Sequence, residues 1–202
     1  MATIEFVTIE VTDPTVAKRF YTEALNLEDR VRVRDSEAPT SGFRGFTLSL
    51  IVSQPATVNV IVDAAVEAGG TVLKPAAKSL WGYGGVVQAP DGTIVTLASS
   101  SKKDSGPATR QIDDVVLQLG VEDVAASKRF YADHGFVVAK SFGGRYVEFD
   151  TGPVKLTLYK RRALAKVAGV SPDGTGAHRL GIGTDAGSFT DPDGFSWEAA
   201  TR

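Results

Sequence analysis

Residues 4–21 read IEFVTIEVTDPTVAKRFY, and residues 114–131 read DVVLQLGVEDVAASKRFY. Each stretch passes from an extended apolar segment through an Asp into a short amphipathic segment. Both end in the same tetrapeptide, Lys-Arg-Phe-Tyr. Self-similarity over such a distance marks a chain built from related units, and it governs how everything between the copies is read. A second pair of stretches agrees with the first. Pro90-Asp91-Gly92-Thr93-Ile94-Val95-Thr96 and Pro192-Asp193-Gly194-Phe195-Ser196-Trp197-Glu198 each read as a tight turn feeding a strand that closes its half. Between the halves, residues 99–110 (SSSKKDSGPATR) are polar and contain Gly-Pro, the composition of a linker. The organisation expected is a first half over residues 1–100, a linker over 101–110 and a second half over 111–202.

Each half opens with a strand and then a helix. Asp13 at the N-cap and Pro14 behind it are sound helix-start chemistry, because the carboxylate accepts free backbone N–H groups and the ring presets φ. Val16, Phe20 and Ala24 follow at helical spacing and predict one buried face, with Asn26 placed to stop the helix in a left-handed cap. In the second copy Asp123 is the cap, Ala126 and Phe130 the buried face, and Gly135 the terminator. A further helix is legible in Val58, Ile61, Val62, Ala65 and Val66, ended by Gly69-Gly70. Strands over 45–52, 71–73, 82–88 and 93–98 surround it, a βαβββ order. Residues 114–159 repeat that order, with strands over 137–142, 146–149 and 154–159. The outer segments are short. Between Arg34 and Gly45 there is no room for a second hairpin, and between His178 and Pro192 there is none for a helix and two strands. Two complete inner modules and two trimmed outer ones are expected.

Composition narrows the function classes. Lys and Arg number 22 against 24 Asp and Glu, a net charge of −2, which lacks the basic footprint of a nucleic-acid binder. The absence of cysteine excludes disulfides, thiolate metal sites and a cysteine nucleophile. The opening MATIEFVTIEV has no basic segment before an apolar core, so it does not read as a signal peptide. No apolar run approaches the roughly 20 residues that span a bilayer. The expected class is a soluble cytoplasmic protein without nucleic-acid or membrane partners. Other chemistries leave no trace: no phosphate-loop pattern, no Gly-x-Ser-x-Gly elbow, and Gly181-Ile182-Gly183 is too short for a dinucleotide fingerprint.

The opening strand, the Asp, the helix carrying Phe20-Tyr21 or Phe130-Tyr131 and the closing Pro-Asp-Gly strand together resemble the vicinal-oxygen-chelate superfamily. That superfamily includes glyoxalase I, bleomycin-resistance proteins and extradiol dioxygenases. The resemblance covers nearly the whole chain, in two copies. It implies an α+β fold of tandem glyoxalase-like domains made of βαβββ modules, whose curled sheets enclose a cavity. In catalytic members, divalent-metal ligands project from the opening strands of the modules and from the closing strand. In this sequence the corresponding first-half positions are Phe6, about Phe46, and Thr96, none a useful donor. In the second half they are Val116, His178 and Glu198, of which two are donors.

Two functions from different classes follow. One is a metal-independent binder of a small apolar or aromatic molecule, needing no cofactor, with Phe6, Phe46, Trp81 and Tyr83 as candidate walls. Leu80-Trp81-Gly82-Tyr83-Gly84-Gly85 resembles the Trp-Gly stretch that borders the cavity in this superfamily, its glycines offering close backbone approach. Glu10, with Thr8 and Gln118, alternates with apolar residues and is either a polar anchor for a ligand or the partner of a nearby Arg. The other is a metal-dependent lyase, isomerase or dioxygenase using His178 and Glu198 with water completing a divalent site. Against it stands a structural His. A third reading is an interaction protein that kept the scaffold and lost its cavity. Lys160-Arg161-Arg162 reads as a solvated helix start, and an exposed edge at a trimmed module would favour a homodimer.

Overall fold

The computed structural model describes residues 1–200. In chain order the elements are β1 (Ile4–Val11), α1 (Pro14–Lys18) with a π-helical turn Arg19–Ala24, β2 (Val31–Asp35), β3 (Thr40–Gly42), β4 (Phe46–Ile51), α2 (Pro55–Glu67), β5 (Thr71–Ser79), β6 (Gly82–Gln88) and β7 (Ile94–Ser99). Then come β8 (Asp114–Val121), α3 (Val124–Asp133), β9 (Val137–Phe142), β10 (Tyr146–Asp150), β11 (Val154–Lys160), α4 (Arg161–Ala168), β12 (Gly174–Gly176), β13 (Leu180–Thr184), β14 (Phe189–Thr190) and β15 (Ser196–Ala199). The fold is α+β. Among the described residues no helix is long and apolar enough to cross a membrane.

Two large sheets carry the molecule, and both draw strands from both halves of the chain. The eight-stranded sheet runs β5-β6-β7-β4-β8-β11-β10-β9. It joins the two complete βαβββ units, β4–β7 with α2 and β8–β11 with α3, through the antiparallel pair β4–β8. In each unit the first strand lies parallel to the last, β4 to β7 and β8 to β11. The five-stranded sheet runs β14-β15-β13-β1-β2 and uses the same plan on a smaller scale. Here β1 and β13 form the antiparallel junction, and β2 and β15 lie parallel beside them. The outer modules are thus short, as their lengths require, and each completes the other's sheet. A three-residue ladder between β3 and β12 straps the same two outer segments together a second time.

Alternation in the strands sets the core. Leu48 and Leu50 of β4, Val115, Leu117 and Leu119 of β8, and Leu156 and Leu158 of β11 are fully buried with the helices in one cluster. Ile4, Val7 and Ile9 of β1 belong to the same cluster; a register shift between Ile4 and Phe6 restores their phase. Asp13 and Asp123 cap α1 and α3 as expected, each accepting two backbone N–H bonds. Asn26 and Gly135 stop the two segments at positive φ.

The buried faces of these helices differ from the expected ones. In the first, Val16 is exposed, while Ala17, Phe20 and Tyr21 are buried. A π turn, in which Leu25 N–H reaches Phe20 O, widens the spiral so that adjacent Phe20 and Tyr21 both point inward. In α3 the buried residues are Val124, Ser127 and Tyr131, one position away from Ala126 and Phe130. The two tyrosines of the repeated tetrapeptide explain the shift. Tyr21 donates to Asp91 at 2.6 Å, and Tyr131 donates to Asp191. Each phenol is held by a carboxylate of the Pro-Asp-Gly turn region, and burial pushes both hydroxyls well above their ordinary pKa. The tetrapeptide is therefore a clasp between a helix and a distant turn.

Candidate functional site

The face of the eight-stranded sheet turned away from α2 and α3 carries the polar members of each strand. Across four neighbouring strands the register places Thr96 beside Ser49, Ser49 beside Val116, Thr47 beside Gln118, and Gln118 beside Thr157. Of these, Ser49, Thr96, Val116, Gln118 and Thr157 form the floor of a groove made of two adjoining depressions, of about 570 and 280 Å³, which share Ser49, Gln118 and Tyr159. Gln118 is oriented by Thr47, whose hydroxyl donates to Oε1 at 2.9 Å. That bond leaves the Gln118 amide N–H₂ to face elsewhere. Thr157 is buried, yet its hydroxyl has no hydrogen-bond partner. An unmet hydroxyl beside an oriented amide is what a ligand's polar group would satisfy.

Aromatic rings stand at one side of this floor. Tyr146 and Tyr159 are half-buried and meet edge to face, centroids 5.1 Å apart. Phe142, largely exposed, lies 5.9 Å from Tyr146. Burial pushes both phenols above the usual tyrosine value, with Tyr159 and Glu148 adding to the effect at Tyr146. They are protonated at neutral pH and serve as neutral walls and donors. The carboxylates here are engaged: Glu148 accepts from Tyr146 at 3.1 Å and pairs with Lys140, and Asp114 pairs with Lys155.

The positions read from sequence fall into several places. Trp81 is 85% exposed at the tip between β5 and β6 and stands at the groove rim. Tyr83 turns its hydroxyl to Asn59 of α2 at 2.9 Å, and so supports the helix. The glycines beside it do not make room for a ligand: a Cβ on Gly82 or Gly84 would strike the backbone of β7 or the residue following it. Phe46 is buried in the core, because in β4 it is Thr47 and Ser49 that share the open face. Phe6 and Glu10 lie on the other sheet. There Phe6 packs under Arg32, whose guanidinium carbon is 3.4 Å from the ring centroid. Phe6 and Phe46 therefore do not share a pocket. Alternation in YVEF and KLTLY was the signal that Tyr146, Thr157 and Tyr159 share a face with Gln118.

His178 and Glu198 were the candidate metal pair, and the structure gives each a different employment. The His178 ring nitrogens face the carbonyl oxygens of Arg44 (2.6 Å) and Asp193 (3.1 Å), and the ring stacks on Phe195. Neither nitrogen is left to face a metal. Glu198 receives both terminal nitrogens of Arg34, at 2.7 and 3.1 Å, and Arg34 also reaches Glu10 at 2.6 Å. A guanidinium thus fills the position between two carboxylates where a cation would sit. No group of three His, Cys, Asp or Glu gathers among the described residues. With these partners His178 and Glu198 do not fit a divalent metal.

Comparison with solved structures agrees with this architecture. The chain superposes on glyoxalase I from Zea mays with a TM-score of 0.60 at 15% identity, covering 98% of this chain and 91% of that one. A variant of the same enzyme gives a TM-score of 0.60 at 16% identity, again over 98% and 91%. A glyoxalase/bleomycin resistance protein/dioxygenase family enzyme from Burkholderia phytofirmans is 17% identical, with a TM-score of 0.44 over 48% of this chain and 98% of that one. No protein-family model matches the sequence, and no curated protein does. The fold is that of glyoxalase I.

Proposed function

We propose that this protein binds a flat, uncharged aromatic molecule in the groove of the eight-stranded sheet and does so without a metal. The observation that carries the reading is the donor set of the floor. Ser49, Thr96, Gln118 and Thr157 offer hydroxyls and an amide in the register that joins the two complete modules, and the unmet Thr157 hydroxyl lies beside the oriented Gln118. Such a floor hydrogen-bonds a carbonyl or phenol, while Tyr146 and Tyr159 supply an apolar wall.

Trp81 at the rim makes the test direct. Tryptophan emission is followed while 1,4-naphthoquinone and benzamide are added, with the buried Trp197 as a constant background. Saturable quenching is expected. Gln118→Leu and Thr157→Val should each weaken it about tenfold, the usual worth of one or two hydrogen bonds in a half-buried site. Unchanged quenching in both variants, or turnover of a glyoxalase or dioxygenase substrate that depends on added metal, would overturn the reading.

A further inference from the structure

The groove does not use the whole open face of the eight-stranded sheet. Helix α4 lies across that face, burying Leu164, Ala165 and Ala168 against Val86, Ile94 and Phe43. On its far side is a separate cleft of about 370 Å³. Its apolar walls include Phe43, Ile94 and Val170, and its polar lining includes Arg44 and Thr40.

Arg44 is the notable member. Its side chain is 5% exposed, and its Nη2 donates to Asp91 Oδ1 at 2.8 Å and to Thr93 at 2.8 Å. Its other terminal nitrogen, Nη1, has no partner. The hydroxyl of Thr40, on β3 along the same cleft, is likewise buried without a partner. Two of the four buried side-chain polar atoms without partners among the described residues thus belong to residues of one cleft. The charged residues of its lining are Arg44, Asp91 and Asp173. Asp91 faces Arg44. Asp173 accepts from Ser171 at 2.8 Å, and Arg161 spends its donors on the carbonyls of Phe43 and Pro172. An unmet guanidinium nitrogen in an apolar setting calls for an acceptor, and a carboxylate matches it best.

We infer that this cleft is a second ligand site, for a small apolar carboxylate whose acid group meets Arg44 Nη1 and Thr40 Oγ1 and whose body lies among Phe43, Ile94 and Val170. It is independent of the groove. Nη1 is shielded, so β3, held to β12 by three residues, is the element that yields on entry.

Benzoate is the probe, with benzyl alcohol as its uncharged counterpart, and ¹H–¹⁵N correlation spectra report the place of binding. Benzoate should shift the amides of Gly42, Ile94 and Val170 saturably, while benzyl alcohol should not. Thr40→Val should weaken benzoate about tenfold, and Arg44→Gln should abolish it. Because Arg44 belongs to a buried pair and its variant could fail to fold, Thr40→Val carries the decision, with circular dichroism confirming its fold. Gln118→Leu should leave benzoate binding intact, whatever becomes of the groove. Absence of saturable shifts, equal response to benzyl alcohol, indifference to Thr40→Val, or loss in Gln118→Leu would each overturn the inference.

Discussion

Arg34 shows how one side chain changes what a fold position means. Glu198 stands at a closing-strand position that the superfamily resemblance marks as a metal ligand, yet Arg34 holds it and Glu10 together. The hydrogen bonds to Glu198 and then Glu10 push the guanidinium further up from its already high value. Because Arg34 is 45% exposed, the network should contribute little, about 0–1 kcal/mol. Glu198→Ala should therefore move the denaturation midpoint only slightly, and elemental analysis should find the same metal content as in the unaltered protein. The pairing of Arg34 with Glu10 was not legible, since it depends on the parallel register of β1 and β2. Asp123 gives a pH-dependent case. Two backbone N–H bonds from Ala126 and Ala125 hold its carboxyl below the usual 3.8. Its stabilisation is thus present above that pH and lost as pH falls through the depressed value. Asp123→Ala should lower the melting temperature at pH 7, and the difference from the parent should shrink progressively below about pH 4.

Among the elements, α4 decides how much open sheet remains. Gly120 lets it come close: a Cβ there would stand 3.0 Å from Arg161 Cα and 3.1 Å from Gly45 O. Lys74 fixes the other end by donating to the carbonyls of Lys166 and Val167 at 3.1 and 2.6 Å, which suits a cation at a helix C-terminus. Leu164→Ala should destabilise the protein by about 2–5 kcal/mol, as truncation of a fully buried leucine does, and chemical denaturation would measure it. The helix start at Arg161 was legible in sequence, but its seat was not. An amphipathic stretch tells which face is apolar and says nothing about which distant surface receives it. Most strands of the two complete modules were read to within a residue or two, because alternation and turn chemistry are local, but β5 runs to Ser79 where the sequence reading ended at residue 73. The π turn after α1 was missed for the converse reason: it answers to a hydrogen bond from Tyr21 to Asp91, which are 70 positions apart.

At the scale of the whole molecule, neither sheet belongs to one half of the chain. The β4–β8 and β1–β13 junctions both cross the sequence midpoint. Residues 1–100 and 111–202 expressed separately should each expose half of both sheets and fail to give a cooperative melt. Mixed during refolding, they should co-elute as a complex on size-exclusion chromatography with a cooperative transition restored. Two separate, sharp transitions for the isolated halves would show the sheets to be independent of this pairing.

The β1–β13 pair also sets a timetable for synthesis on the ribosome. Strand β1 emerges long before β13, and Thr3 meets Asp185 across 182 positions of chain. At roughly 5–20 residues per second, β1 waits on the order of 10–40 s for its central partner. The inner sheet has every strand in hand well before then. During that interval β1 has only β2 beside it, and the edge of IEFVTIEV that β13 will cover stays open in a crowded cell. Strand β1 is therefore the one most in need of a chaperone, and nascent chains stalled before β13 should be the ones that aggregate.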